Sequence, residues 1–146
     1  MDELMDLIAK MEEKLAAEEA FSGVEVRMAY APVASGTSPL TSQVILEQGA
    51  VTIKGKALGD YFAGGRGKQA KAAVRFTIVC PLSAGTQCCS RLFSKLCQAL
   101  LFDPTFGIVS MTAGSVKLCA DKSAYELTAT AALETNLFYR AGEGNE

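Results

Sequence analysis

Five cysteines, a glycine-rich basic run and several paired carboxylates are the residues best suited to chemistry in this chain, which contains no histidine. The cysteines, Cys80, Cys88, Cys89, Cys97 and Cys119, are odd in number and two are adjacent, which argues against a secreted disulfide framework and for a reducing compartment. No CxxC pair exists and no imidazole is available, so structural zinc has no ligand set to draw on. Cys80, Cys89 and Cys97 fall on apolar faces, where a free thiol acts as a small buried hydrophobe. Catalysis lacks its commonest general base, and no serine or cysteine stands in a nucleophile setting such as GxSxG. Glu12-Glu13 and Glu18-Glu19 lie on the surface of an expected helix and read as solvated charge. The run GGRGKQ looks like a phosphate cradle. A P-loop, however, needs glycine at Phe62 and serine or threonine at Gln69, and it needs a helix next, where a strand is expected. Catalytic, cofactor-binding and metal residues are therefore assigned to no position.

The elements that must position these residues centre on 72–102. Val74, Phe76, Ile78 and Cys80 alternate with Arg75, Thr77 and Val79, the period of a strand with one buried face. Pro81 ends it, and Ser83 or Thr86 is placed to cap a helix. Cys89, Leu92, Phe93, Leu96, Cys97, Leu100 and Leu101 then recur every three or four residues, an amphipathic helix laid across a sheet. Before this centre, Leu4, Leu7, Ile8, Met11 and Leu15 form a helical stripe, with Asp6/Lys10 and Lys14/Glu18 as outward pairs. Residues 24–30 alternate as a first strand, and 32–39 form a loop. Two β-rich runs, 43–47 and 51–57, flank a turn at Gln48-Gly49, as a hairpin or one bent strand. Residues 59–71 carry four glycines and read as an exposed, mobile loop. Two extended stretches, 106–119 and 124–139, close the domain as antiparallel neighbours, with a bend at Gly114 and a turn near 121–123. The expected architecture is α+β: a mixed, mostly antiparallel sheet with an N-terminal helix and a central amphipathic helix on one face. A single domain spans 1–140, and 141–146 is a flexible tail.

The distribution of charge says more than the net value of −2. Residues 1–20 hold seven acids against two bases, whereas 54–75 hold six bases against one acid. Such polarity suits attraction between copies of the chain or to an acidic partner, with ordinary solvated faces as the alternative. An apolar fraction of 49% with few aromatics also favours an oligomer. No apolar run reaches the length of a membrane span, and the acidic start MDELMDLIAKMEEK does not read as a signal peptide. Tyr61 and Phe62 lie within the basic stretch, but the acidic balance and lack of any known module argue against specific nucleic-acid binding.

The order of elements, the stretch LTSQVILEQGAVTIKGKALGDYF, the glycine-rich excursion, the strand VRFTIVCPL, the cysteine-containing helix and the closing hairpin carry a resemblance. The strings ALGDYF and RFTIVCPLSAG carry it most specifically. The chain resembles the small tail terminator and tail completion proteins of long-tailed bacteriophages and prophages, including head-to-tail joining proteins. That resemblance implies a structural virion protein without chemistry, assembled in the host cytoplasm as a ring, usually a hexamer. Such a ring stops polymerisation of the tail tube and presents a surface to the head connector or neck protein. Within it, Tyr61, Phe62, Arg66, Lys68 and Lys71 are the expected partner interface. The alternatives are a head-tail joining or other tail completion protein of the same fold, and a small-molecule-binding or enzymatic α+β domain with a concave polar pocket.

Overall fold

β-branched and aromatic residues over 74–79, with pairing to neighbouring strands along its length, make 65–81 the axis of a six-stranded sheet. The computed structural model describes residues 2–29, 41–58, 65–120 and 123–140, with backbone alone at 2–3, 53–58, 65–69 and 135–140. Helix α1 is Asp2–Ala17, strand β1 Glu25–Met28, β2 Gln43–Leu58 and β3 Gly65–Pro81. Helix α2 is Gln87–Leu96 and runs on into a π-helical turn, Cys97–Leu101. Strands β4 (Ile108–Ala113), β5 (Lys117–Cys119) and β6 (Ala124–Arg140) follow. The sheet order is β1-β2-β3-β6-β4, with β5 also on β6. β1 pairs with β2 in parallel and every other pair is antiparallel, so the chain is α+β with a mixed sheet.

Both helices cover the same face of the sheet. Leu4, Ile8, Met11 and Leu15 bury the inner stripe of α1 over β1 and β2, and Cys89, Leu92 and Leu96 bury that of α2 over β3 and β6. They meet Val44, Leu46, Val74, Phe76, Ile78, Cys80, Leu127, Ala129, Ala131 and Leu133 in one cluster. Each fully buried Leu, Ile or Phe contributes about 1.5–3 kcal/mol, an upper figure because the unfolded chain already hides some of that surface. The π-helical turn carries Leu100 into the core, and Phe102 directly after it is 77% exposed. Thr86 stands at the N-terminus of α2, but its side chain makes no cap bond, and Ser83 belongs to a 3-10 turn, Leu82–Ala84. Among the described residues no helix is long and apolar enough to cross a membrane.

Three expectations are corrected. The runs 43–47 and 51–57 are one strand, not two around a turn, because β3 pairs with β2 on both sides of a register shift between Gln48 and Val51. Gly49 sits in that irregularity, where an added Cβ would lie 3.1 Å from both the Cβ and the carbonyl oxygen of Ala73. The expected loop 59–71 is strand from Gly65 onward: β6 pairs with it from Gly65 and β2 from Gly67, and this pairing overrides the poor strand propensity of Gly65 and Gly67, while 59–64 lie outside the described residues. Lys14 does not turn outward to Glu18, for its Nζ is 2.6 Å from Asp103 Oδ2 and 5.9 Å from the centre of the Phe106 ring. Tyr30, the loop 32–39, part of the turn 121–123 and the tail 141–146 lie outside the described residues.

Candidate interaction surface

The sheet's second face is largely polar because most alternate residues of its strands are polar, with Ile45 beside Thr77 and buried Val79 beside Gln43 as apolar exceptions. Lys71, Arg75 and Thr77 of β3 lie beside Glu134, Thr130 and Thr128 of β6, and Glu47 of β2 lies opposite Arg75. Arg75 donates to Glu47 Oε1 at 2.7 Å, and Lys71 Nζ is 3.7 Å from Glu134 Oε1. Such exposed pairs align strands and contribute at most about 1 kcal/mol each. Thr112 of β4 continues the threonine row opposite Thr130. Nearer the edge, Arg27 of β1 lies 4.0 Å from Glu25 through a buried Nε atom that has no hydrogen-bond partner among the described residues.

Among the described side chains, the buried core ends at Ala70 on β3 and Leu133 on β6. The strands do not end there. β3 continues to Gly65 against β6 out to Arg140, and Ala57 and Leu58 of β2 pair with Lys68 and Gly67. The result is a three-stranded ribbon extending roughly 17 Å beyond Ala70, at about 3.3 Å per residue. Its charge has one sign: Lys54 and Lys56 lie on β2, Arg66 and Lys68 on β3 and Arg140 on β6, with no Asp or Glu in 54–58, 65–70 or 135–140, while Lys71 at its base is beside Glu134. Of the five expected interface residues, Arg66, Lys68 and Lys71 share this one strand. Lys71 is exposed. Tyr61 and Phe62 fall outside the described residues. Lys54 and Lys56 belong to the basic stretch 54–75 and are brought beside β3 by strand pairing, and Arg140 joins the surface only through that pairing. For Arg140 the one signal in the chain is the length of the final β-rich stretch.

Away from the ribbon, one small cleft lies among the described residues. A cleft of about 140 Å³ lies between α1 and the α2 end, lined by Lys14, Glu18, Phe21, Lys95, Gln98 and Ala99 among others. A drug-sized ligand needs about 300 Å³ or more. Lys14 is already engaged: its bond to Asp103, with the Thr105 amide as a second donor at 2.9 Å, draws the Asp103 carboxyl down to about 2. Among the described residues, no three of His, Cys, Asp and Glu are grouped to hold a metal ion.

At the other end of β3 a thiol cluster joins three segments. Cys80 Sγ lies 2.6 Å from Cys88 Sγ, and Ser42 Oγ lies 3.3 Å from Cys88 Sγ. Cys89 turns toward the core and donates weakly to the Ile78 carbonyl at 3.8 Å. Burial, with the Cys88 contact second, pushes the Cys80 thiol far up.

No protein-family model and no curated protein matches the chain. Among solved structures 26 chains match. One of these, which carries no functional description, aligns over 92% of this chain and 96% of its own length with a TM-score of 0.54 and 16% identity. At that identity the likeness shows a shared fold alone.

Proposed function

We propose that the chain is a tail completion protein of the terminator type, which associates head to tail into a ring, closes the end of a tail tube and presents its outer surface to the head-joining machinery. The observation that carries this reading is the placement of opposite charge on two separate elements. The acids of residues 1–20 lie on α1 and the turn after it, and the bases lie on the β2-β3-β6 ribbon. A head-to-tail ring needs two different, complementary patches on each subunit, and closure then follows from the rotation between them. On this reading the ribbon, with Arg66, Lys68 and Lys71, meets an acidic neighbour, and no step of the function makes or breaks a bond. The short β1 and β4 at the sheet edges limit uncontrolled strand addition, which a tube cap has to prevent.

The test is to add the purified protein to its tail-tube protein during polymerisation and to image the products. Rings at the tube ends and tubes of limited length are expected. Unchanged tube length, with the protein monomeric, would overturn the reading, and capture by the head connector instead of the tube would reassign the protein to the joining station.

A further inference from the structure

We infer that Cys80 and Cys88 form a site of reversible oxidation, closing an intramolecular disulfide between the end of β3 and the start of α2. Two sulfurs 2.6 Å apart are inside their van der Waals contact, against about 2.05 Å for a formed disulfide. The pair is held by its elements. Cys80 lies in the middle strand of the sheet, opposite Tyr125 of β6, and the Cys88 amide donates to the Gly85 carbonyl at 3.3 Å as α2 begins. Only residues 81–87 separate the two cysteines, so the bond staples the strand-to-helix connection and leaves the rest of the sheet free.

The two thiols have different roles. Cys88 is half-buried, so an oxidant reaches it, whereas Cys80 is fully buried. The Ser42 hydroxyl beside Cys88 is positioned to donate to the thiolate that forms there. With a small-molecule disulfide as oxidant, Cys88 loses its proton and attacks one sulfur, forming a mixed disulfide and releasing one thiol. The Cys80 sulfur then attacks the Cys88 sulfur, and the departing thiolate takes the Cys80 proton. Two protein thiols become one disulfide, and the oxidant is reduced to two thiols. Cys89 is the competing thiol, since it also interacts with the Cys80 side chain, but it is buried and donates weakly to the Ile78 carbonyl, whereas Cys88 is half-buried and open to an oxidant. The bond concerns the folded subunit and does not depend on the assembly proposed above.

The experiment is incubation of the folded full-length protein with oxidised glutathione, followed by alkylation of remaining thiols and intact-mass and fragment analysis. The expected result is a mass lower by two hydrogens before alkylation, with Cys89, Cys97 and Cys119 alkylated and a closed loop between Cys80 and Cys88. Cys89→Ser retains the bond. Cys88→Ser, which changes a half-buried position, loses it. A glutathione adduct that persists on Cys88, a bond through Cys89 or disulfide-linked dimers would each overturn the assignment, and so would five alkylated thiols.

Discussion

Lys14 and Asp103 hold α1 to the segment after the π-helical turn, 89 residues later in the chain. Because the Asp103 carboxyl is drawn below its ordinary value of 3.8 to about 2, the folded state binds this proton less readily than the unfolded chain does. The contribution of the pair is thus complete above about pH 4 and disappears as the pH falls toward 2. Asp103→Asn is expected to be less stable than the parent at neutral pH, with the difference shrinking between pH 4 and 2 in urea titrations. A difference that stayed constant would separate the pair from the pH dependence. Gly107 makes an equally local demand. Its φ is +61°, an added Cβ would lie 2.6 Å from the Glu134 carbonyl oxygen, and its own carbonyl accepts from the Glu134 amide at 3.0 Å. Gly107→Ala is expected to destabilise by about 2 kcal/mol or more, since left-handed backbone strain and a backbone clash add. Equilibrium denaturation checks it, and a change under 0.5 kcal/mol, within the scatter of neutral surface substitutions, would contradict it.

At the scale of elements, α2 is the anchor. Leu96 is fully buried between the helix and the sheet, so Leu96→Ala is expected to cost about 2–5 kcal/mol, and Leu96→Asp to prevent folding by burying an unpaired charge. Far-ultraviolet circular dichroism and thermal melts read both. This helix, the α1 stripe and the core face of β3 were legible in the sequence because periodicity of apolar side chains is a local signal, and Leu4, Ile8, Met11, Leu15, Val74, Phe76, Ile78, Leu92, Leu96 and Leu100 are buried as their spacing requires. The distal half of β3 was not legible. Gly65 and Gly67 punctuate the chain like a loop, and what makes them strand is pairing with partners more than 70 residues away, Arg140 and Phe138. Lys14 misled for a related reason, since its nearest helical neighbour was visible in the sequence and Asp103 was not. Hydrogen exchange separates strand from loop directly. Amides across 67–71 are expected to exchange slowly, because β3 is paired on both sides, whereas exchange at the rate of a free loop would restore the sequence-based expectation.

For the whole molecule, the proposed assembly depends on two charged regions that belong to different elements, each of which would meet a different neighbour in a head-to-tail ring. Most of the candidate surface was legible as the basic segment 54–75, which holds Lys54, Lys56, Arg66, Lys68 and Lys71. Arg140 was not, since only the β3-β6 register brings it beside Gly65. Interactions between exposed charges are screened over about 8–10 Å near physiological ionic strength, so self-association through these regions should weaken as salt is raised. Reversal of Arg66, Lys68 and Lys71 to glutamate changes no residue of the described core cluster and turns the β3 part of the ribbon acidic. The most direct measurement is native mass spectrometry of the purified protein beside that triple variant. A closed oligomer for the parent, lost to monomer in a folded variant, is the expected result; a parent that is monomeric at every concentration, or a variant that assembles equally well, would contradict it.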